Sequence, residues 1–397
     1  MKTAYRASRI IDGISEKVIQ GGYVLVEEGR IIVVERDLAT PPGTRLVDLG
    51  DATLLPGLID AHVHLVWNAS GLPHEVVHRE SRYMTALRAA QHALQHLHAG
   101  VTTVRDTGST DVIAVDAARA IEAGIVPGAR VFAAGRVIAM TGGHAHVLGR
   151  EADGPDAVRQ AARAEMKGGA HLIKVMASGG VYGFSEEPGM PQYTVEEMRA
   201  AVEEAHKTGR KVLAHAYSVQ AIANALDAGV DCIEHGSFLT PELARRMIHE
   251  GKYLVPTLVT YQTGCDFGAA LGTPPLLMRK YDEVRRASRK AVQIALQEGV
   301  RIVAGTDCGS PGNPHGNLPE ELRLMVELGA TPMQTIRYCT SVAAELLGCA
   351  DAGAIAPGKR ADLLAVAGDP TADITALRNV VIVVQSGEIV VNSAGRV

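Results

Sequence analysis

Hydrophobic positions in the middle of this chain fall in short unbroken runs, and stretches with helical spacing lie between them. The runs are residues 58–65, 101–108, 129–135, 172–178, 211–217, 232–237, 253–259 and 301–307. An apolar run of that length fits a strand covered on both faces, as strands of parallel sheets are. Helical patterns occupy 74–98, 156–167, 195–208, 219–228, 241–250 and 276–298. Ala99-Gly100, Ala123-Gly124, Ala228-Gly229 and Glu298-Gly299 read as helix ends, where glycine takes the left-handed conformation and turns the chain into the next strand. Eight strand runs separated in this way predict an α/β fold, closed as a (β/α)8 TIM barrel, with an open doubly wound sheet as the alternative. No G-x-G-x-x-G follows the first run, which argues against a dinucleotide site.

The two ends are patterned differently. Residues 4–11, 22–27, 30–35 and 45–48 read as short strands punctuated by Gly29 and Pro41-Pro42-Gly43. The last stretch reads alike, with strands at 362–367, 380–385 and 388–391 turning at Ser386-Gly387. The expectation is one small β-sandwich assembled from both termini, residues 1–55 and 356–397, flanking a barrel over 56–355.

Composition adds boundaries to this picture. Hydrophobic residues make up 47% and aromatics only 4%, so the core must be built of Ala, Val, Leu and Ile, the mixture that fills barrel interiors. A net charge of −5 with no basic block argues against nucleic acid or an anionic membrane as partner. Residues 1–12 lack the apolar core of a signal peptide, and no apolar stretch approaches the roughly 18 residues of a membrane span. The five cysteines, Cys232, Cys265, Cys308, Cys339 and Cys349, are scattered and odd in number, which suits reduced thiols in a cytoplasm. Homo-oligomerisation is left open.

Ionisable residues gather at the C-terminal ends of the predicted strands. His62 and His64, in Asp60-Ala61-His62-Val63-His64, share one face of a strand by alternation and can hold one ion together. Lys174 interrupts the fourth run, where an ammonium is costly unless it is paired or chemically altered. It is either one half of a salt bridge or a metal ligand, and ligation requires carboxylation by carbon dioxide, because an ammonium has no lone pair. His215, His235 and Asp307 end the fifth, sixth and eighth runs. An isolated histidine of this kind reads better as a satisfied core residue, and the others could be the same; four histidines, a lysine and an aspartate at matching depth read as a metal site.

The segment Leu55-Pro56-Gly57-Leu58-Ile59-Asp60-Ala61-His62-Val63-His64 resembles the opening signature of the amidohydrolase superfamily. The segment Gly353-Ala354-Ile355-Ala356-Pro357-Gly358-Lys359-Arg360-Ala361-Asp362-Leu363 resembles its return into the β-sandwich. Val101-Thr102-Thr103-Val104-Arg105-Asp106-Thr107-Gly108 and Thr141-Gly142-Gly143-His144 are similar to the imidazolonepropionase-like branch, which holds Xaa-Pro dipeptidases and ochratoxin-hydrolysing amidases. The resemblance implies two divalent ions, with Zn²⁺ as the expected metal, one held by His62, His64 and Asp307 and the other by His215 and His235. Lys174 as N6-carboxylysine and a nucleophilic hydroxide would bridge them. It implies Asp307 as general base and then acid, and His144 as the substrate-binding residue that polarises the scissile carbonyl, with His146 as the register alternative. The implied reaction is hydrolysis of a dipeptide or N-acyl amino acid, with a small molecule as the partner.

Tyr217, two residues after His215, is the candidate for the substrate carboxylate or else an ordinary buried tyrosine. Arg105-Asp106 is expected as a supporting ion pair and Cys308 as a packing residue. By resemblance, residues 260–275 form a loop lining an apolar side-chain pocket, with Asp266 as the feature that would favour a basic side chain instead. Lys174 argues against one-metal deaminases; lactonases, phosphotriesterases and ochratoxin-type amidases stay open, since fold does not dictate reaction. An inactive scaffold is disfavoured, because all six candidate ligands are present.

Overall fold

Three sheets organise the computed structural model, which describes residues 2–37 and 41–393; the first residue and the last four of the expected terminal module lie outside it. Leu58–Val63, Val101–Asp106 and Arg130–Ala133 form a parallel three-stranded sheet in chain order. Ile173–Met176, Val212–Ala216, Cys232–His235, Tyr253–Val255 and Arg301–Ile302 follow one another in a second sheet, again all parallel. Val137–Ala139 and Gly149–Glu151 complete that sheet to seven strands. Every residue of the strands that carry His62, Lys174, His215 and His235 is buried, which is why those segments read as unbroken apolar runs. The fold is α/β with helices between parallel strands.

Backbone contacts connect the edges of the two parallel sheets. Ala61 N donates to Ala304 O at 3.0 Å, and His64 N donates to Cys308 O at 3.2 Å. At the other edge His171 N donates to Ala133 O at 2.8 Å. The expected strand over 301–307 is regular only at Arg301–Ile302; beyond it the chain bends onto the first strand, with Asp307 N donating to His62 O at 2.6 Å.

Both chain ends meet in one eight-stranded sheet, in which Ala52–Pro56 pairs antiparallel with Leu363–Ala367 and parallel with Lys2–Ile11. Its own core contains Tyr5, Ile10, Leu54, Leu363 and Ile382. Gly57 carries the chain directly from this sheet into Leu58–Val63, and a Cβ there would run into the Thr102 side chain.

Helix boundaries depart from the predicted ones where capping decides them. The expected helix over 74–98 is two, Pro73–Arg79 and Arg82–His98, because the Ser81 hydroxyl accepts from Met84 N and starts a new helix. The expected strand over 253–259 ends at Val255, and Leu258–Phe267 is a helix where a loop was expected. Glu321 anchors that helix from afar, its carboxylate accepting from Leu258 N at 3.0 Å and Val259 N at 2.7 Å. Among the described residues no helix is long and apolar enough to cross a membrane.

Candidate active site

The six candidate ligands converge. His62, His64, Lys174, His215, His235 and Asp307 line one small chamber together with His144, Tyr217, Trp67 and Tyr182. Alternation accounts for His62 and His64, and strand register places His215 beside Met176 and His235 beside Ala216. Ring centroids are 5.0 Å apart for His62 and His235, 4.7 Å for His215 and His235, and 5.5 Å for His62 and His64. His235 (φ 68°) and Asp307 (φ 56°) both hold left-handed backbone, a strain that persists where the surrounding structure over-determines the position.

Hydrogen bonds on the outer sides of the rings decide which nitrogens face inward. His64 Nδ1 lies 2.7 Å from Gly108 O, which can only accept, so Nδ1 carries the proton and Nε2 presents a lone pair. His62 Nδ1 donates likewise to the Glu234 carboxylate at 2.6 Å. His215 uses Nε2 for Gly179 O at 3.1 Å, which frees Nδ1 instead, and His235 Nδ1 is held by the Thr257 hydroxyl at 2.7 Å. Burial disfavours the imidazolium, holding His64 down at about 3 and His62, His215 and His235 well below the usual histidine range.

Two imidazole lone pairs therefore face a carboxylate. Asp307 Oδ1 lies 3.4 Å from His64 Nε2 and 3.7 Å from His62 Nε2, and it is buried with no hydrogen-bond partner. Acceptor against acceptor is repulsive unless a proton or a metal cation lies between them, and the three ligand atoms fall within 4.8 Å of one another, close enough to share one ion. This donor set fits a divalent metal ion.

Lys174 is 1% exposed, and no ion pair closes on it among those of the chamber, so the salt-bridge reading is not what the structure contains. Burial pulls its ammonium down to about 8, against the opposing pull of Glu234. Burial also pushes the Asp307 carboxyl up to about 8, moderated by Lys174.

Behind the chamber, Glu234 accepts from His62 Nδ1, from Arg105 Nη2 at 2.8 and 3.0 Å and from Cys232 Sγ at 2.9 Å. The expected Arg105–Asp106 pair is not formed. Successive strand residues point to opposite faces, so Arg105 turns to Glu234 while Asp106 accepts from Leu65 N and Gly108 N. Asp60 accepts from Thr306 N at 3.0 Å and Oγ1 at 2.6 Å, tying the segment before Asp307 to the first strand. Cys308 is fully buried in the main core, as expected of a packing residue. Glu234→Ala leaves the buried Arg105 guanidinium uncompensated and should lower stability by about 3–5 kcal/mol. Denaturant unfolding checks this, and an unchanged midpoint would contradict the assignment of Glu234 as the counter-charge.

His144 lies in the chamber with its ring stacked 4.3 Å from His215, whereas His146 is exposed and folds back on Gly143 O. His144 Nδ1 donates to Glu186 at 2.6 Å, leaving Nε2 free. Gln192 Nε2 and the fully buried Lys280 hold Glu186 and its loop in place. Tyr217 is 2% exposed, 4.6 Å from His215, and its hydroxyl accepts from Tyr261 at 3.0 Å. Asp266 is exposed and pairs with Gln262 one helical turn earlier, and residues 260–275 do not line the chamber. Glu186, Trp67 and Tyr182 were not singled out from sequence; they sit outside the strands, where no periodicity marks them. Glu234 carried a usable signal, an acid inside an apolar strand beside His235.

Residues 53–390 match the amidohydrolase family. Ochratoxinase of Aspergillus niger is 31% identical over 358 residues, covering 81% of this chain and 71% of that protein. A Xaa-Pro dipeptidase solved with methionine bound in its active site superposes with a TM-score of 0.91 at 33% identity, covering 98% of this chain and 99% of its own. A prolidase complexed with N-methylphosphonate-L-proline gives 0.92 at 32% identity, over 99% and 100% of the two chains. The matched span includes every strand that brings a residue to the chamber, and on this combined ground the chain belongs to the amidohydrolase family of hydrolases.

Proposed function

We propose that this chain is a binuclear metal-dependent amidohydrolase that cleaves a peptide or N-acyl amino-acid bond beside a free carboxylate. The two parallel sheets are on this reading two parts of one (β/α)8 barrel, with residues 1–55 and 356–397 as its terminal β-sandwich. The observation that carries the reading is the convergence of four histidines, a buried lysine and an aspartate on one chamber, with inward lone pairs that call for cations. His62, His64 and Asp307 would hold one ion, and His215 and His235 the other. Lys174 would serve both: its neutral Nζ adds to carbon dioxide, loses a proton and becomes an anionic carbamate with two oxygens to share. When bound, the ions, zinc on the chemistry of these ligands, would acidify water and polarise the scissile carbonyl.

The remaining steps belong to the chain's own groups. Asp307 takes a proton from the attacking water and delivers it to the leaving nitrogen. His144, oriented by Glu186, donates from Nε2 to the carbonyl oxygen as charge develops there, after taking up a proton at that nitrogen. Tyr217 stays a neutral phenol, because burial raises it well above the usual tyrosine range, and so can donate to the substrate carboxylate. The relatives solved as a Xaa-Pro dipeptidase and as a prolidase support a dipeptide-like substrate.

A screen of dipeptides and N-acyl amino acids with Zn²⁺ and bicarbonate tests this directly. Turnover of lactones above any peptide would overturn it. Amidating the C-terminus of the best substrate should lower kcat/KM by roughly 10–100-fold, the worth of a hydrogen bond to a charged group. Tyr217→Phe should erase most of that discrimination; equal turnover of free and amidated substrates by the native enzyme would remove Tyr217 from the account.

A further inference from the structure

Outside the chamber, three histidines and a cysteine meet where the helix Arg82–His98 packs on the segment after Asp307. His92 and His96 stand four residues apart, so both rings leave one face of that helix, and both are buried. Gly316 lets the incoming segment approach closely, since a Cβ there would meet Ala99 Cβ at 2.9 Å. His315, beside it, stacks on His92 with ring centroids 3.9 Å apart and lies 5.1 Å from the His96 ring. One nitrogen of His96, one of His315 and Cys308 Sγ fall within 4.8 Å of one another, and none of these residues lines the chamber. We propose that His96, Cys308 and His315 form a further metal site, for a soft divalent cation of the zinc type, separate from the chamber. The inference does not depend on which bond the chamber cleaves.

Hydrogen bonds prepare the two nitrogens. His315 Nε2 lies 2.9 Å from Trp67 O, which can only accept, so Nε2 carries the proton and Nδ1 presents a lone pair. That lone pair faces His96 Nε2 at 3.1 Å. Without an ion, the His96 proton sits on Nε2 and bridges the rings. The other nitrogen of His96, Nδ1, is buried with no partner, so the proton can move there and free a second lone pair beside the first. Bonds of 2.0–2.1 Å to a tetrahedral ion set two nitrogens about 3.3 Å apart, so the observed separation needs little adjustment. Burial holds His96 down at about 3 and His315 well below the usual histidine range, which keeps both rings neutral, the form that ligates.

Sulfur sets the choice of ion. Cys308 Sγ donates to Pro314 O at 3.0 Å; on binding, its proton leaves to solvent and the thiolate takes the ion. A thiolate with two imidazoles suits zinc and not magnesium or calcium, which prefer oxygen ligands. Pro314 is exposed and His315 half-buried, so solvent reaches the site from that side. An incoming ion displaces the thiol proton and the bond between the two rings, so this site holds its ion less tightly than the chamber and fills when metal is added to the purified protein. Once filled, it ties the helix to the segment that carries Asp307.

Cobalt(II) reads the site directly, because a thiolate bound to cobalt gives a charge-transfer band in the near ultraviolet and no cysteine lines the chamber. Titrating the purified protein with Co²⁺, in the presence of a phosphine reductant, should raise this band to saturation at one ion per chain. The band should vanish in Cys308→Ser, persist in Cys232→Ser and fail to saturate at one ion in His96→Phe. Added Zn²⁺ should raise the melting midpoint of the native protein and leave that of His96→Phe unmoved. If Cys308→Ser does not fold, His96→Phe and His315→Gln decide the matter, since they remove the nitrogen ligands and leave the sulfur. Absence of the band, its loss in Cys232→Ser, or a band and midpoint shift unchanged by His96→Phe would overturn the site.

Discussion

Lys174→Ala is expected to abolish most activity and to leave the protein with a single tightly held ion. The reason is positional. Lys174 comes from the strand next to the one that carries His215, it lines the same chamber as His62 and His64, it is buried, and no carboxylate closes on it to justify the charge. On the binuclear reading a carbamate there would serve both ions, whereas alanine would serve neither. Turnover and metal content of the variant check this together. Short carboxylic acids with bicarbonate should restore part of both, because they supply the missing oxygens. Wild-type turnover in Lys174→Ala would make the lysine structural and return the account to one metal.

Asp307→Asn should retain the fold and much of the metal affinity while losing about 10²–10⁴-fold in kcat, the usual worth of a positioned acid–base group. Asparagine keeps an oxygen for the ion but cannot take up and return a proton. The left-handed backbone at Asp307 is tolerable for asparagine, so a loss of rate is not confounded by new strain. Native turnover in this variant would leave proton transfer to the leaving nitrogen without a group to perform it.

How much of this was legible in the sequence depends on whether a residue sits on a regular strand. His62, His64, Lys174, His215 and His235 occupy or directly follow buried parallel strands, where alternation and the break in apolar character mark them without reference to the rest of the chain. Asp307 was found by its position at the end of an apolar run, though only Arg301–Ile302 of that run is regular strand. The Arg105–Asp106 pairing failed against the same alternation that succeeded for His62 and His64, and the rule applied to both. Ser81 as the start of a second helix was also readable from its capping chemistry. The helix at Leu258–Phe267 was not, because its N-terminus is satisfied by Glu321, more than sixty residues away in the chain. Trp67, Tyr182 and Glu186 lie between regular elements, and only the folded chain brings them to His144. The hydrogen bonds that fix which ring nitrogens face inward are likewise contacts between distant segments, such as His64 with Gly108 and His62 with Glu234.

The central claim is that inward lone pairs on two sets of ligands hold two cations. Elemental analysis of the purified chain, alongside turnover of its best acyl amino-acid substrate, tests it most directly. Two divalent ions per chain, with activity lost on chelation and regained on adding Zn²⁺, is the predicted result; one tightly bound ion with full activity would contradict it.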